Sequence, residues 1–125
     1  MPLNCRVIRL EIDLEKLENL KCVPCSGTEP ALTVQEVAEL KPKVPKWDVI
    51  TQDGVMHLQR QFTFDNFAQA LDFTNRVGKI AEAEGHHPAI LTEWGRVTVE
   101  WWTHKINGLH QNDFVMAAKT DELYA

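Results

Sequence analysis

The stretch from Glu82 to His104, EAEGHHPAILTEWGRVTVEWWTH, constrains this chain more than any other, because it sets a helix stop, a change to extended backbone and a chain reversal in quick succession. A helical pattern ends at Gly85, a residue that takes the left-handed conformation at little cost. Pro88 then pushes His87 towards an extended conformation. Ala89 to Glu93, a turn at Trp94-Gly95 and Arg96 to Thr103 read as a hairpin. Its second arm alternates Val97, Val99, Trp101 and Thr103 with Thr98, Glu100, Trp102 and His104. A turn of two or three residues sets His104 opposite position 85 or 86. His86, His87 and His104 thus converge at one end of the hairpin, and Glu82, one helical turn before His86, faces the same junction. The register is the critical assumption, since a slip of one residue turns every side chain of the strand over.

The remaining pattern gives this unit a setting. Residues 1–20 fit a strand (Ile8, Leu10, Ile12, Leu14) or a helix (Leu10, Leu14, Leu17), and they are read as an N-terminal extension to a domain spanning 21–125. KCVPCSGTEPALT is a loop by its Pro and Gly content. Thr33 and Glu36 form a capping box for a short helix with Val34, Val37 and Leu40 as its stripe, ended by Lys41-Pro42. Trp47 to Ile50, a turn at Gln52-Asp53-Gly54 and Val55 to Phe64 read as a first hairpin. In its second arm Met56, Leu58, Phe62 and Phe64 face inward with Arg60 as the exception, which leaves His57 on the solvent side. Asp65 is expected to cap a long helix, Asn66 to Glu84, with Phe67, Ala70, Leu71, Thr74, Val77, Ile80 and Ala81 on one face. Asn112 or Asp113 opens a last helix. Strands arriving as hairpins and helices arriving singly predict an α+β domain: an antiparallel four-stranded sheet with helices packed on one face, in the order α-β-β-α-β-β-α.

Composition excludes some classes. A net charge of -5 without a basic patch argues against direct nucleic-acid binding. No apolar run approaches the roughly 18 residues of a membrane span, and MPLNCRVIRLEIDLEK mixes charges into what a signal peptide keeps apolar. A soluble, cytoplasmic protein without membrane contact is the expectation. Three cysteines are too few for a disulfide framework.

The histidine cluster suits proton transfer, because imidazole gives or takes a proton near neutrality without special tuning. Zinc is the rival reading, since three histidines and an open position describe a catalytic metal site. Adjacent side chains in extended backbone diverge, which sets His86 and His87 against sharing one ion. Cys22-x-x-Cys25 with Cys5 and His57 forms a second metal alternative, but two small half-buried residues tightening a loop is the better account of Cys22 and Cys25. A structural role for the histidines, and a capping role for Asp113, stay open on spacing alone. Trp47, Trp94, Trp101 and Trp102 read first as packing residues, although one or two of them can flank a flat ligand.

Glu82-x3-His86-His87-Pro88-x5-Trp94-x9-His104-x8-Asp113 resembles the signature of the pterin-4a-carbinolamine dehydratases, a family also known as the dimerization cofactor of a homeodomain activator. CVPC, the following Gly and ALT, the Trp before the first strand and the Phe-rich entry to the long helix resemble its microbial members, and the likeness covers about 21–124. The resemblance implies loss of water from a 4a-hydroxytetrahydropterin to give the quinonoid dihydropterin, without cofactor or metal. It implies His86, His87 and His104 as acid-base residues, with Glu82, Asp113 and Trp94 binding or orienting the substrate. It further implies a homodimer or homotetramer. Two other roles come with it: a coactivator or protein-interaction module on the same fold, and a place in molybdopterin metabolism.

Overall fold

The structure, a computed structural model, describes residues 17–22 and 30–124. The alternating N-terminal segment before Leu17, together with Cys5 and Cys25, lies outside the described residues. Among the described residues no helix is long and apolar enough to cross a membrane.

Local signals set most of the elements. Thr33 caps α1 (Val34–Leu40) through the reciprocal pair of a capping box: Thr33 Oγ1 accepts the Glu36 N–H at 3.1 Å, and Glu36 Oε1 accepts the Thr33 N–H at 2.8 Å. β1 (Asp48–Gln52) and β2 (Val55–Thr63) are joined by Asp53 and Gly54 at φ 51° and 81°. Left-handed backbone at both positions matches the twist of the two strands, which is why Asp-Gly suits this turn.

The long helix α2 runs over Phe67–Glu84. Its N-cap is Asn66 and not Asp65, because Asn66 Oδ1 is the oxygen that accepts the Gln69 N–H, at 2.8 Å. Its buried face also differs from expectation. Ala70, Phe73, Val77 and Ala81 are buried, whereas Phe67 and Leu71 are exposed. The helix is rotated towards Phe73, whose ring packs at 4.7 Å from Phe62 and 5.2 Å from Phe64. A second aromatic on the sheet draws the helix round more strongly than one Leu resists.

β3 (Ala89–Glu93) and β4 (Arg96–Trp101) complete an antiparallel four-stranded sheet of order β1-β2-β4-β3. Glu93 pairs with Arg96 and Ala89 with Glu100, so Trp94-Gly95 is a two-residue turn, with Gly95 at φ 73°. β4 ends at Trp101; a Thr103–Gly108 bridge closes a single 3-10 turn, His104–Ile106, before α3 (Gln111–Tyr124). The last helix therefore opens one residue earlier than Asn112.

Leu58, Phe62, Val97, Val99 and Trp101 form the sheet's buried face. Arg60 shares it, as the alternation requires, with its guanidinium 4.4 Å over the Phe62 ring and paired with Asp121 of α3. Trp101 donates its indole N–H to Thr120 Oγ1 at 3.1 Å, and Trp47 donates to Asp121 Oδ1 at 2.8 Å, which satisfies the polar end of each buried indole. Burial of such large side chains stabilises the fold by about 1.5–3 kcal/mol each. On α3's flank Leu17 is buried and Lys119 donates to the Glu18 carbonyl at 2.9 Å, which ties residues 17–20 to the core. The result is the α+β architecture anticipated from the pattern of elements, order α-β-β-α-β-β-α.

Candidate active site

Gly85 takes φ 66° at the end of α2, and the next N–H, of His86, returns to the Ala81 carbonyl at 3.1 Å. This left-handed closure satisfies the last carbonyls of the helix and throws the chain across to β3. His86 is thereby delivered onto Trp101, its ring 5.6 Å from the indole and inclined by 19°. His86 Nε2 lies 2.5 Å from Asp113 Oδ1.

Asp113 is wholly buried, at 0 % exposure. Its other oxygen, Oδ2, accepts the Thr103 hydroxyl at 2.8 Å and the His110 N–H at 2.9 Å. A buried carboxylate is costly unless donors replace its water, and here donors reach both oxygens. A carboxylate only accepts, so His86 carries its proton on Nε2 and, when neutral, keeps its lone pair on Nδ1. Asp113 is thus more than a cap: it fixes both the plane and the tautomer of an imidazole.

His87 turns the other way, as adjacent residues in extended backbone do, and pairs through Nε2 with Glu82 Oε2 on the surface. Both side chains are mostly exposed, so solvent weakens this pair, which contributes roughly 0–1 kcal/mol. His104 opens the 3-10 turn after β4 and is exposed. Among the described residues its side chain has no hydrogen bond or ion pair; its ring rests 4.5 Å from Trp102.

The β3–β4 register brings the three histidines to one end of the hairpin. Among the described residues no hydrogen bond or ring contact joins any two of them. One link connects their surroundings: Thr103, next to His104, donates to the carboxylate that holds His86. Trp101, which carries His86, lies on the helix-covered face of the sheet, and Trp102, which carries His104, covers His57 on the other face. Trp94 is not brought to this cluster. It is 74 % exposed at the opposite end of the hairpin, one strand length of about 17 Å away. Two clefts formed elsewhere, one between Phe64, Phe73, Arg76 and Tyr124 and one between Lys46 and Gln61, contain none of the three.

His57, expected on the solvent side, is 5 % exposed. It does lie on the sheet face away from the helices, but Trp102 covers it, with ring centroids 3.9 Å apart and planes parallel to 1°, and Glu100 Oε1 takes its Nδ1–H at 2.8 Å. Thr103 and Glu100 were missed by sequence reasoning, which weighed His57 only as a metal ligand or a solvent-side residue. The signal available was that Glu100 and Trp102 share a strand face, but nothing local says which neighbouring strand they meet.

Cys22 donates its backbone N–H to Glu84 Oε1 at 2.9 Å, beside the end of α2. Burial, reinforced by the negative charges of Glu84 and Asp113, pushes its thiol up to about 12. Among the described residues no group of three or more His, Cys, Asp or Glu side chains is placed to hold a metal ion, and Cys25 lies outside them.

Sheet, helices and site together define a class: a one-sided α+β domain presenting imidazoles, two of them oriented by carboxylates at their Nε2 atoms. The chain belongs to the pterin 4 alpha carbinolamine dehydratase family, whose family model matches residues 30–123. A Marinobacter nauticus protein is 58 % identical over 111 residues, covering 89 % of this chain and 100 % of the relative. A Chlorobium limicola protein is 54 % identical over 111 residues, covering 89 % and 98 %. Both relatives are named, provisionally, as pterin-4-alpha-carbinolamine dehydratases. The crystal structure of a Brucella melitensis protein described as a transcriptional coactivator/pterin dehydratase superimposes with a TM-score of 0.69 at 30 % identity, covering 76 % of this chain and 99 % of that one.

Proposed function

We propose that this protein removes water from 4a-hydroxytetrahydropterins, with the imidazoles of His86, His87 and His104 as the acid-base groups. The carbon–oxygen bond at C4a breaks and hydroxide leaves as water on accepting a proton. The N5 proton is taken by a base, and the C4a–N5 double bond forms to give the quinonoid dihydropterin. The steps that need help from the protein are the two proton transfers, one to the departing hydroxide and one from N5, which imidazoles handle near neutrality.

The observation that carries this reading is the buried Asp113 carboxylate on His86 Nε2. It fixes the ring and leaves Nδ1 as the working atom, as an orienting carboxylate does in other imidazole-based sites. Glu82 does the same for His87 in a wetter setting. His104, exposed and without a hydrogen-bond partner among the described residues, is the group best placed to exchange its proton with bulk water.

The test is the decay of chemically generated 4a-hydroxytetrahydropterin with and without the protein. The reaction proceeds unaided, so acceleration beyond buffer supports the proposal, and equal rates at micromolar protein overturn it.

A second role, as a protein-interaction module, draws support from the description of the Brucella melitensis neighbour as a coactivator as well as a dehydratase. The two roles separate cleanly, because His86→Ala would abolish turnover and spare partner binding. Self-association into a homodimer or homotetramer is part of the same proposal. Leu91, exposed on the edge strand β3, and Trp94 at its end supply apolar surface for it. Sedimentation at increasing protein concentration checks it, and a monomer throughout would remove it.

A further inference from the structure

His86 and His87 each have a carboxylate to hold them, whereas His104 has none among the described residues. An exposed imidazole on a freely rotating side chain spreads over several rotamers, and a catalytic group needs to occupy one. Among the described residues, what restrains His104 is a single ring contact, with Trp102.

Trp102 is itself backed by an unusual arrangement. The His57 ring stacks on the indole face to face, at 3.9 Å and parallel within 1°. His57 is fixed in turn, since its Nδ1–H donates to Glu100 Oε1 at 2.8 Å. The second oxygen, Oε2, accepts the Gln59 side-chain amide at 2.9 Å. Gln59 and Glu100 are directly paired across β2 and β4, so this support is anchored on the two central strands, the stiffest part of the sheet. From Gln59 and Glu100 through His57 and Trp102 to His104, each contact narrows the freedom of the next.

We infer that His57, with Glu100 behind it, is a positioning residue for His104, acting through Trp102 and never touching the substrate. The inference rests on the proposed dehydratase reading for its consequence in turnover, but its structural half stands apart. The flat ring of His57 is what matters to Trp102; its hydrogen bond to Glu100 serves to hold that ring parallel. His57→Ala removes the ring and lets the indole turn into the vacated space. His57→Phe keeps a flat ring of nearly the same size.

Two measurements on the full chain test this. The first is the proton NMR spectrum of the His104 imidazole, identified by its loss in His104→Gln. Trp102 displaces these resonances upfield through its ring current. The displacement is expected to collapse in His57→Ala and to persist in His57→Phe. The second is steady-state dehydration. His57→Ala is expected to lower kcat about 10-fold, the usual effect of losing a group that orients a catalytic one, with KM changed by less than about twofold. His57→Phe should recover most of that loss. Unaltered His104 resonances in folded His57→Ala would overturn the inference, as would a loss of kcat that His57→Phe fails to recover. If the wild-type chain accelerates no dehydration, the functional reading fails and the NMR arm still decides whether His57 orients His104.

Discussion

Asp113 and His86, 27 residues apart in sequence, meet inside the molecule at 2.5 Å, the carboxylate fully buried and the imidazole laid over Trp101. The aspartate sits in the first turn of α3 and the histidine just past the end of α2, so this one contact ties the two long helices to the site. Its chemistry follows from direction: an acceptor-only group faces Nε2, and the other nitrogen is left to work.

Asp113→Asn tests that direction. The amide either presents its N–H to His86 and stabilises the wrong tautomer or, flipped, sets a donor where Thr103 and His110 already donate. Dehydration is expected to fall roughly 10- to 100-fold, and urea unfolding should register a loss of about 1–3 kcal/mol. A variant with wild-type turnover would show that the tautomer of His86 is irrelevant.

His86 and His104 should differ in what their loss does to the fold. Either alanine variant is expected to lower the rate by roughly 100-fold or more, the usual contribution of a positioned acid or base. His86→Ala also leaves a buried carboxylate short of a donor, so its thermal midpoint should drop, whereas exposed His104 can be removed with little change. Turnover assays with paired melting curves check both halves.

The Glu82–His87 pair is exposed, and a double-mutant cycle on stability should return a coupling below about 1 kcal/mol. A larger value would mean that another subunit covers the pair.

Gly85→Ala isolates the cost of the left-handed closure. No atom lies within 4 Å of the position its Cβ would take, so the penalty comes from φ 66° alone. Denaturant titration should show a loss of about 1 kcal/mol. A loss several times larger would mean that the α2-to-β3 connection cannot tolerate even a small adjustment.

Cys22 gives a pH prediction with a definite sign. Burial raises the folded thiol to about 12, above its unfolded value, so the unfolded chain gives up this proton first. Above about pH 8.5 the unfolded state therefore binds fewer protons, and this group's contribution makes stability fall as pH rises towards the folded value. In a Cys5→Ser, Cys25→Ser background the remaining thiol should react with a disulfide reagent at pH 8 far more slowly in the native chain than in urea. Equal rates would contradict the burial.

The elements were legible because their causes are local. Thr33 and Glu36, Asp53 and Gly54, and Gly85 before His86-His87-Pro88 each act over a few residues of backbone. The two-residue turn then fixed the register that brings His86 and His104 to the same end. A short pattern from Glu82 to Asp113 was enough to suggest the family, and the match over residues 30–123 bears that out. What needed the folded chain was every pairing between distant segments. The burial of His57 under Trp102, the choice of Phe73 over Leu71 for the core, and the difference between Asp113 as a cap and Asp113 as the partner of His86 all depend on how two helices settle on a sheet. That docking is decided by the summed packing of the whole apolar face, a quantity that no stretch of sequence contains by itself.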